Sequence, residues 1–128
     1  MACAATAGQV RYLGRVPHDY KLELLQRARC LVSPLCPPYI EIFGLSTIES
    51  QACGTPVVST DLGAPSELIV EGATGAVAND VTCLATSVHN ALLCKPDDCR
   101  AQAERFPREK MGADYEALYQ EMMEGRRW

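Results

Sequence analysis

The amino-acid sequence predicts an α/β fold, a parallel sheet flanked by helices, built as a single domain. Three observations predict it. Short apolar, β-prone runs alternate with longer stretches whose apolar residues recur at helical spacing, the pattern of βαβ units. The chain has 128 residues, 48% hydrophobic and 22% charged, which is enough to bury one core. Its 9 Gly and 8 Pro punctuate the runs and are too few for a low-complexity or fibrous chain.

The elements follow in order. Val10 to Leu13 is expected as a strand ending at Gly14, and Asp19 to Arg29 as a helix with Leu22, Leu25 and Ala28 at helical spacing. Cys30 to Ser33 returns as a strand. Pro34, Pro37 and Pro38 forbid regular structure after it, so residues 34 to 43 form a loop at the strand's carboxyl end. A helix from about Gly44 to Cys53 is stopped by Gly54, which suits a left-handed cap, with Pro56 blocking continuation. Pro56 to Ser59 is the next strand. DLGAPSE leads through a turn to a short helical turn near Glu67 to Val70, and GATGAVA supplies a glycine turn and a strand at Ala76 to Ala78.

The remainder reads as helical. Asp80 caps a helix whose Leu84, Val88, Ala91 and Leu92 share a face, and Lys95-Pro96 ends it. Residues 98 to 105 are expected to be helical, and Glu109 to Gly125 carries Met111, Tyr115, Leu118, Tyr119 and Met122 on one stripe. Such stripes are usually core, the alternative being a partner-binding face.

Charge and cysteines limit the function classes. A formal charge of -4, with 12 Lys and Arg spread along the chain, offers no basic surface to nucleic acid or an anionic membrane. No apolar run approaches the ~20 residues of a membrane span, and MACAATAGQV lacks the charged and apolar regions of a signal peptide. The expected location is therefore cytoplasmic, or the cytosolic face of a membrane. The seven cysteines, Cys3, Cys30, Cys36, Cys53, Cys83, Cys94 and Cys99, are odd in number and lack C-x-x-C spacing. They read as reduced thiols, and a redox sensor is disfavoured because no basic cluster flanks any of them.

The stretch PLCPPYIEIFGLSTIESQACGTP, Pro34 to Pro56, places a loop, a carboxylate, a glycine and a helix start together. Ligands of open parallel sheets bind outside the carboxyl ends of the strands. A helix beginning at Gly44 aims the free N–H groups of Gly44, Leu45 and Ser46 at such a ligand, which favours a phosphate. Glu41, just outside that anion site, is placed to accept from sugar hydroxyls. Glu49, eight residues on and about a turn and a half into the helix, is placed to accept from a second set, such as ribose. Taken singly, each glutamate reads as readily as a solvated surface charge, and Gly44 as a plain helix cap.

EIFGLSTIESQACGTPVVSTDLGAPSELIVEGATGAVA closely resembles the carboxyl-terminal domain of the retaining, nucleotide-sugar-dependent glycosyltransferases of GT-B fold, the "group 1" family. The resemblance runs from about Val10 to Tyr119 and includes VRYLGRVP, the helix before CLVSP and the closing Y-x-x-L-Y helix. It implies a partial Rossmann-like layer and transfer of a sugar from a nucleotide-sugar substrate, with no cofactor. By that resemblance Glu41 is catalytic and contacts the donor sugar. Phe43, Gly44, Leu45 and Ser46 approach the distal phosphate and sugar, Glu49 holds the ribose, and Gly14, Arg15 and Val16 border the base. Ile42 stands where the family often has proline, and Ser50 replaces a small residue after the second glutamate.

The acceptor-binding domain and the first strand-helix-strand of this domain, with its basic residues, are not matched. The chain therefore resembles half a domain of a two-domain enzyme, expected to be inactive alone and to self-associate or meet a partner that supplies the rest. The alternatives are a non-catalytic nucleotide-sugar-binding remnant and an interaction module without ligand. A dinucleotide-binding module is disfavoured because no G-x-G-x-x-G follows a strand, and without D-x-D or a histidine cluster no metal is expected. His18 and His89 have no acidic or cysteine partners and read as surface residues.

Overall fold

The structure, a computed structural model, describes residues 10–126; Met1 to Gln9, with Cys3, and the last two residues lie outside them. Its centre is a three-stranded parallel sheet in the order β1-β2-β3, formed by β1 (Leu31–Ser33), β2 (Val57–Thr60) and β3 (Gly75–Ala78). Leu31 pairs with Val57 and Val57 with Gly75, and the registers run on from there to Ser33–Ser59 and Thr60–Ala78. Every residue of β2 is buried, as a central parallel strand covered on both faces requires.

The crossovers are α2 (Leu45–Ala52) between β1 and β2, and the single turn α3 (Pro65–Leu68) between β2 and β3. Helix α1 (His18–Arg27) leads into β1; a 3-10 turn at Val81–Cys83 and α4 (Leu84–Ala91) follow β3, and then come α5 (Pro96–Ala103) and α6 (Arg108–Met123). Helix α4 packs on β2 and β3, and α5 packs on α2. Val57, Val58, Ala76, Ala78, Ala91 and Cys99 make the apolar core between these layers. Small residues dominate it, so the strands and helices approach closely and each lost methyl group is felt.

Buried polar groups pin the elements at defined points. Gln51 of α2 and Gln102 of α5 both donate through Nε2 to the Leu68 carbonyl, each at 3.1 Å. Gln51 also reaches Thr74 Oγ1 at 3.2 Å. The Ser59 hydroxyl donates to the Ser33 carbonyl at 3.1 Å, and the Thr60 hydroxyl to the Leu35 carbonyl at 2.7 Å. The last of these ties the loop after β1 to the end of β2.

Several sequence expectations are corrected. Val10 to Leu13 is not a strand but exposed chain, because no described strand lies beside it to supply a ladder. Pro96 does not end the preceding helix: α4 stops at Ala91, and Pro96 opens α5, where its missing N–H costs nothing. The turn expected at Glu67 to Val70 begins earlier, at Pro65, for the same reason. The stripe on α6 is not core. That helix has no buried residue, Leu118 is half-buried, and Met111, Tyr115, Tyr119 and Met122 are exposed, with the two tyrosine rings 6.1 Å apart. Gly54 does follow α2 in the left-handed conformation expected of a cap.

Candidate functional site

The carboxyl end of β1 opens into residues 34–43, and Glu41 is fixed there by its backbone. Its N–H donates to the Leu62 carbonyl at 3.0 Å, and its carbonyl accepts from the Ala64 N–H at 2.8 Å. Gly63 makes this docking possible. It lies at φ +95, and a Cβ there would stand 2.2 Å from the Glu41 carbonyl oxygen, so any other residue would push Glu41 away. DLGAPSE, read from sequence as a turn, is thus the support on which Glu41 rests.

Gly44 caps α2 from the left-handed region, at φ +87, with no side-chain hydrogen bond to the helix start. Its own carbonyl takes the Thr47 and Ile48 amides. Among the described residues the amides of Gly44, Leu45 and Ser46 have no hydrogen-bond partner. They form the positive end of the helix dipole. A Cβ at Gly44 would lie 3.3 Å from Glu41 Cγ, which puts the Glu41 side chain directly beside this helix start. Phe43, Leu45 and Ser46 are all exposed, and the Phe43 ring meets that of Phe106 edge-on with centroids 6.1 Å apart.

Glu49 lies further along α2 on the side facing α1. Its Oε1 accepts from Lys21 Nζ at 2.7 Å, with both side chains about one-third exposed. Lys21 was not picked out from sequence, and no local pattern signals it, because it lies 28 residues from Glu49. Gly14, at φ +62, and Arg15 are exposed in the turn before α1, and Val16 is half-buried there.

The structure therefore brings Glu41 and the start of α2 together at the carboxyl ends of β1 and β2. It sets Glu49 on the α1 side of the same helix. Two clefts of about 260 Å³ among the described residues lie elsewhere. One is at the amino ends of β1 and β2 between Arg29, Cys53, Thr55 and Arg100, and the other is beside α5 between Val70, Thr74 and Arg105. Among the described residues no three His, Cys, Asp or Glu side chains gather as metal ligands would, and no helix is long and apolar enough to cross a membrane.

The six described cysteines are free. Burial raises the pKa of the Cys30 and Cys94 thiols and pushes that of Cys99 up to about 11, which keeps these three protonated at neutral pH.

Comparison with known proteins places this geometry in a family. The family described as "Glycosyl transferases group 1" matches residues 2–98. The glycogen synthase of Mycobacterium tuberculosis is 34% identical over 109 residues, 83% of this chain and 25% of that protein. The D-inositol 3-phosphate glycosyltransferase of Nocardiopsis dassonvillei is 36% identical over 90 residues, 70% of this chain and 18% of that enzyme. The chain thus spans about a quarter or less of these relatives' length. The solved sucrose-phosphate synthase of Thermosynechococcus elongatus superposes with a TM-score of 0.71 at 23% identity, covering 94% of this chain and 32% of that one. That likeness shows the fold, a partial Rossmann-like parallel sheet flanked by helices. The matched family and the relatives' identity together make this chain a member of the group 1 glycosyl transferases.

Proposed function

We propose that the chain forms the donor-binding part of a retaining glycosyltransferase whose substrate is a nucleotide sugar. The observation that carries this reading is the start of α2, where unpartnered amides at Gly44, Leu45 and Ser46 adjoin the carboxylate of Glu41. Amides at a helix start attract phosphate, while a carboxylate repels it and accepts from hydroxyls. A ligand suited to both carries a phosphate bonded to a sugar. As the glycosidic bond breaks, negative charge grows on the leaving diphosphate, and N–H groups already in place stabilise it without reorganising. Glu41, held by the loop at Gly63, orients the donor sugar by accepting from its hydroxyls, and Glu49 accepts from the ribose. Gly14, Arg15 and Val16 border the base. No cofactor takes part in this scheme, and retention of configuration follows from the resemblance to the group 1 enzymes.

Titrating the ¹⁵N-labelled chain with UDP-glucose, ADP-glucose and GDP-mannose tests the reading. Amide shifts of Gly44, Leu45 and Ser46 are expected to move with at least one donor, and Glu41→Ala is expected to weaken the nucleotide sugar more than the free nucleotide. Shifts confined to other surfaces would end the proposal.

A further inference from the structure

The proposed role of Glu49 gives meaning to its ion pair with Lys21. Among the described residues, Lys21–Glu49 is the one ion pair that joins two elements; the others link residues close in sequence on a single helix or beside it. Helix α1 has no buried residue, so packing does little to hold it. Two polar ties fix it to the chain around α2: Lys21 Nζ to Glu49 Oε1 at 2.7 Å, and the Thr55 hydroxyl to the Leu25 carbonyl at 2.5 Å.

We infer that Lys21 is a positioning residue: its ammonium holds one oxygen of Glu49 so that the other is presented, already oriented, to the vicinal hydroxyls of a ribose. This rests on the proposed role of Glu49. A carboxylate has room for about four hydrogen bonds, and among the described residues only Oε1 is taken, by a single donor. Oε2 is therefore available to a diol. A glutamate on a helix surface otherwise samples many rotamers, and binding a ligand would have to freeze them. The ion pair freezes them beforehand. A pair about one-third exposed adds little to the stability of the fold, so its effect is expected in binding rather than in folding.

The test compares UDP, ADP and GDP with their 2′,3′-dideoxy counterparts, which carry the same charge without the diol. Affinities are read by NMR titration of the full chain. The wild type is expected to prefer the ribonucleotide for at least one base. Lys21→Met is expected to weaken that ribonucleotide about fivefold while leaving its dideoxy form unchanged, as befits lost ordering rather than lost charge. Lys21→Arg is expected to restore the preference, and Lys21→Gln gives a second neutral variant if Lys21→Met melts early. Equal weakening of both forms would mean that Lys21 acts only on phosphate charge, and would overturn the inference. So would a preference that survives in Lys21→Met, although Glu49 would keep its proposed role. A wild type that binds none of the probes, or that ignores the diol for every base, would overturn the role of Glu49 and this inference with it.

Discussion

Gly63 carries no functional group, yet the position of Glu41 depends on it. The Glu41 carbonyl oxygen occupies the space that a Cβ at Gly63 would need, 2.2 Å from it, and the φ of +95 disfavours any side chain. Gly63→Ala therefore adds left-handed strain and a clash with backbone that cannot rotate away. The expected cost is about 1–3 kcal/mol, read as a lower urea midpoint, together with weaker nucleotide-sugar binding as Glu41 is displaced. An unchanged midpoint would show that the loop yields freely and that Gly63 is no support. That Glu41 stands beside a helix start at Gly44 was legible because both lie within one short stretch, where a loop runs straight into a helix. Gly63 was legible only as a turn, since what it touches arrives from another loop. Lys21 was not legible at all, because a partner 28 residues away is set by how α1 lies on α2.

At the scale of elements, hydrophobic period and turn residues together located the described strands and helices but also predicted a strand at Val10 to Leu13 that does not form, and the prolines shifted the boundaries. Pro65 and Pro96 start helices where a stop or a later start was expected, because a proline at the first helical position lacks only an N–H that has no helical partner. Val10 to Leu13 has the composition of a strand and lacks a ladder, which no local pattern reveals. Asp80 matched expectation: its carboxylate accepts from the Thr82 and Cys83 amides and caps the 3-10 turn that enters α4. The bond from the Thr82 side chain, then that from its amide, holds the Asp80 carboxyl below its ordinary pKa. A carboxyl group with a depressed folded pKa contributes stability above its unfolded pKa and loses it as pH falls through the folded value. Asp80→Ala is accordingly expected to lower the melting temperature by a constant amount from about pH 7 down to about pH 4, and by less below that. A gap that stays constant down to about pH 2 would show that the charge of Asp80 contributes nothing to the cap.

Two features of the whole molecule bear on whether these 128 residues transfer sugar by themselves. Among the described residues strand β1 pairs with β2 on one side only, and its middle residue Val32 is 41% exposed while its register partner Val58 is fully buried. Among the described residues the sheet thus ends at an uncovered edge next to the loop that carries Glu41. Around that loop Tyr39, Ile40, Ile42 and Leu45 are all well exposed, so the candidate site is ringed by apolar side chains that no described element covers. Glycosyl transfer needs the opposite environment. Donor and acceptor must be held within reacting distance, and water must be kept from a sugar that is losing its leaving group. Positioning alone supplies about 7 kcal/mol or more of barrier reduction in well-oriented systems, which is about five powers of ten in rate. In the proposed scheme the amides at Gly44 to Ser46 and the carboxylates of Glu41 and Glu49 steady only the donor and leave the acceptor free. Donor binding without measurable transfer is therefore expected when the purified chain is assayed with radiolabelled UDP-, ADP- and GDP-sugars over a panel of glucan, inositol phosphate and lipid acceptors. Turnover that vanished in Glu41→Ala would prove this wrong, and would mean that an open sheet edge and one helix start suffice to align both substrates.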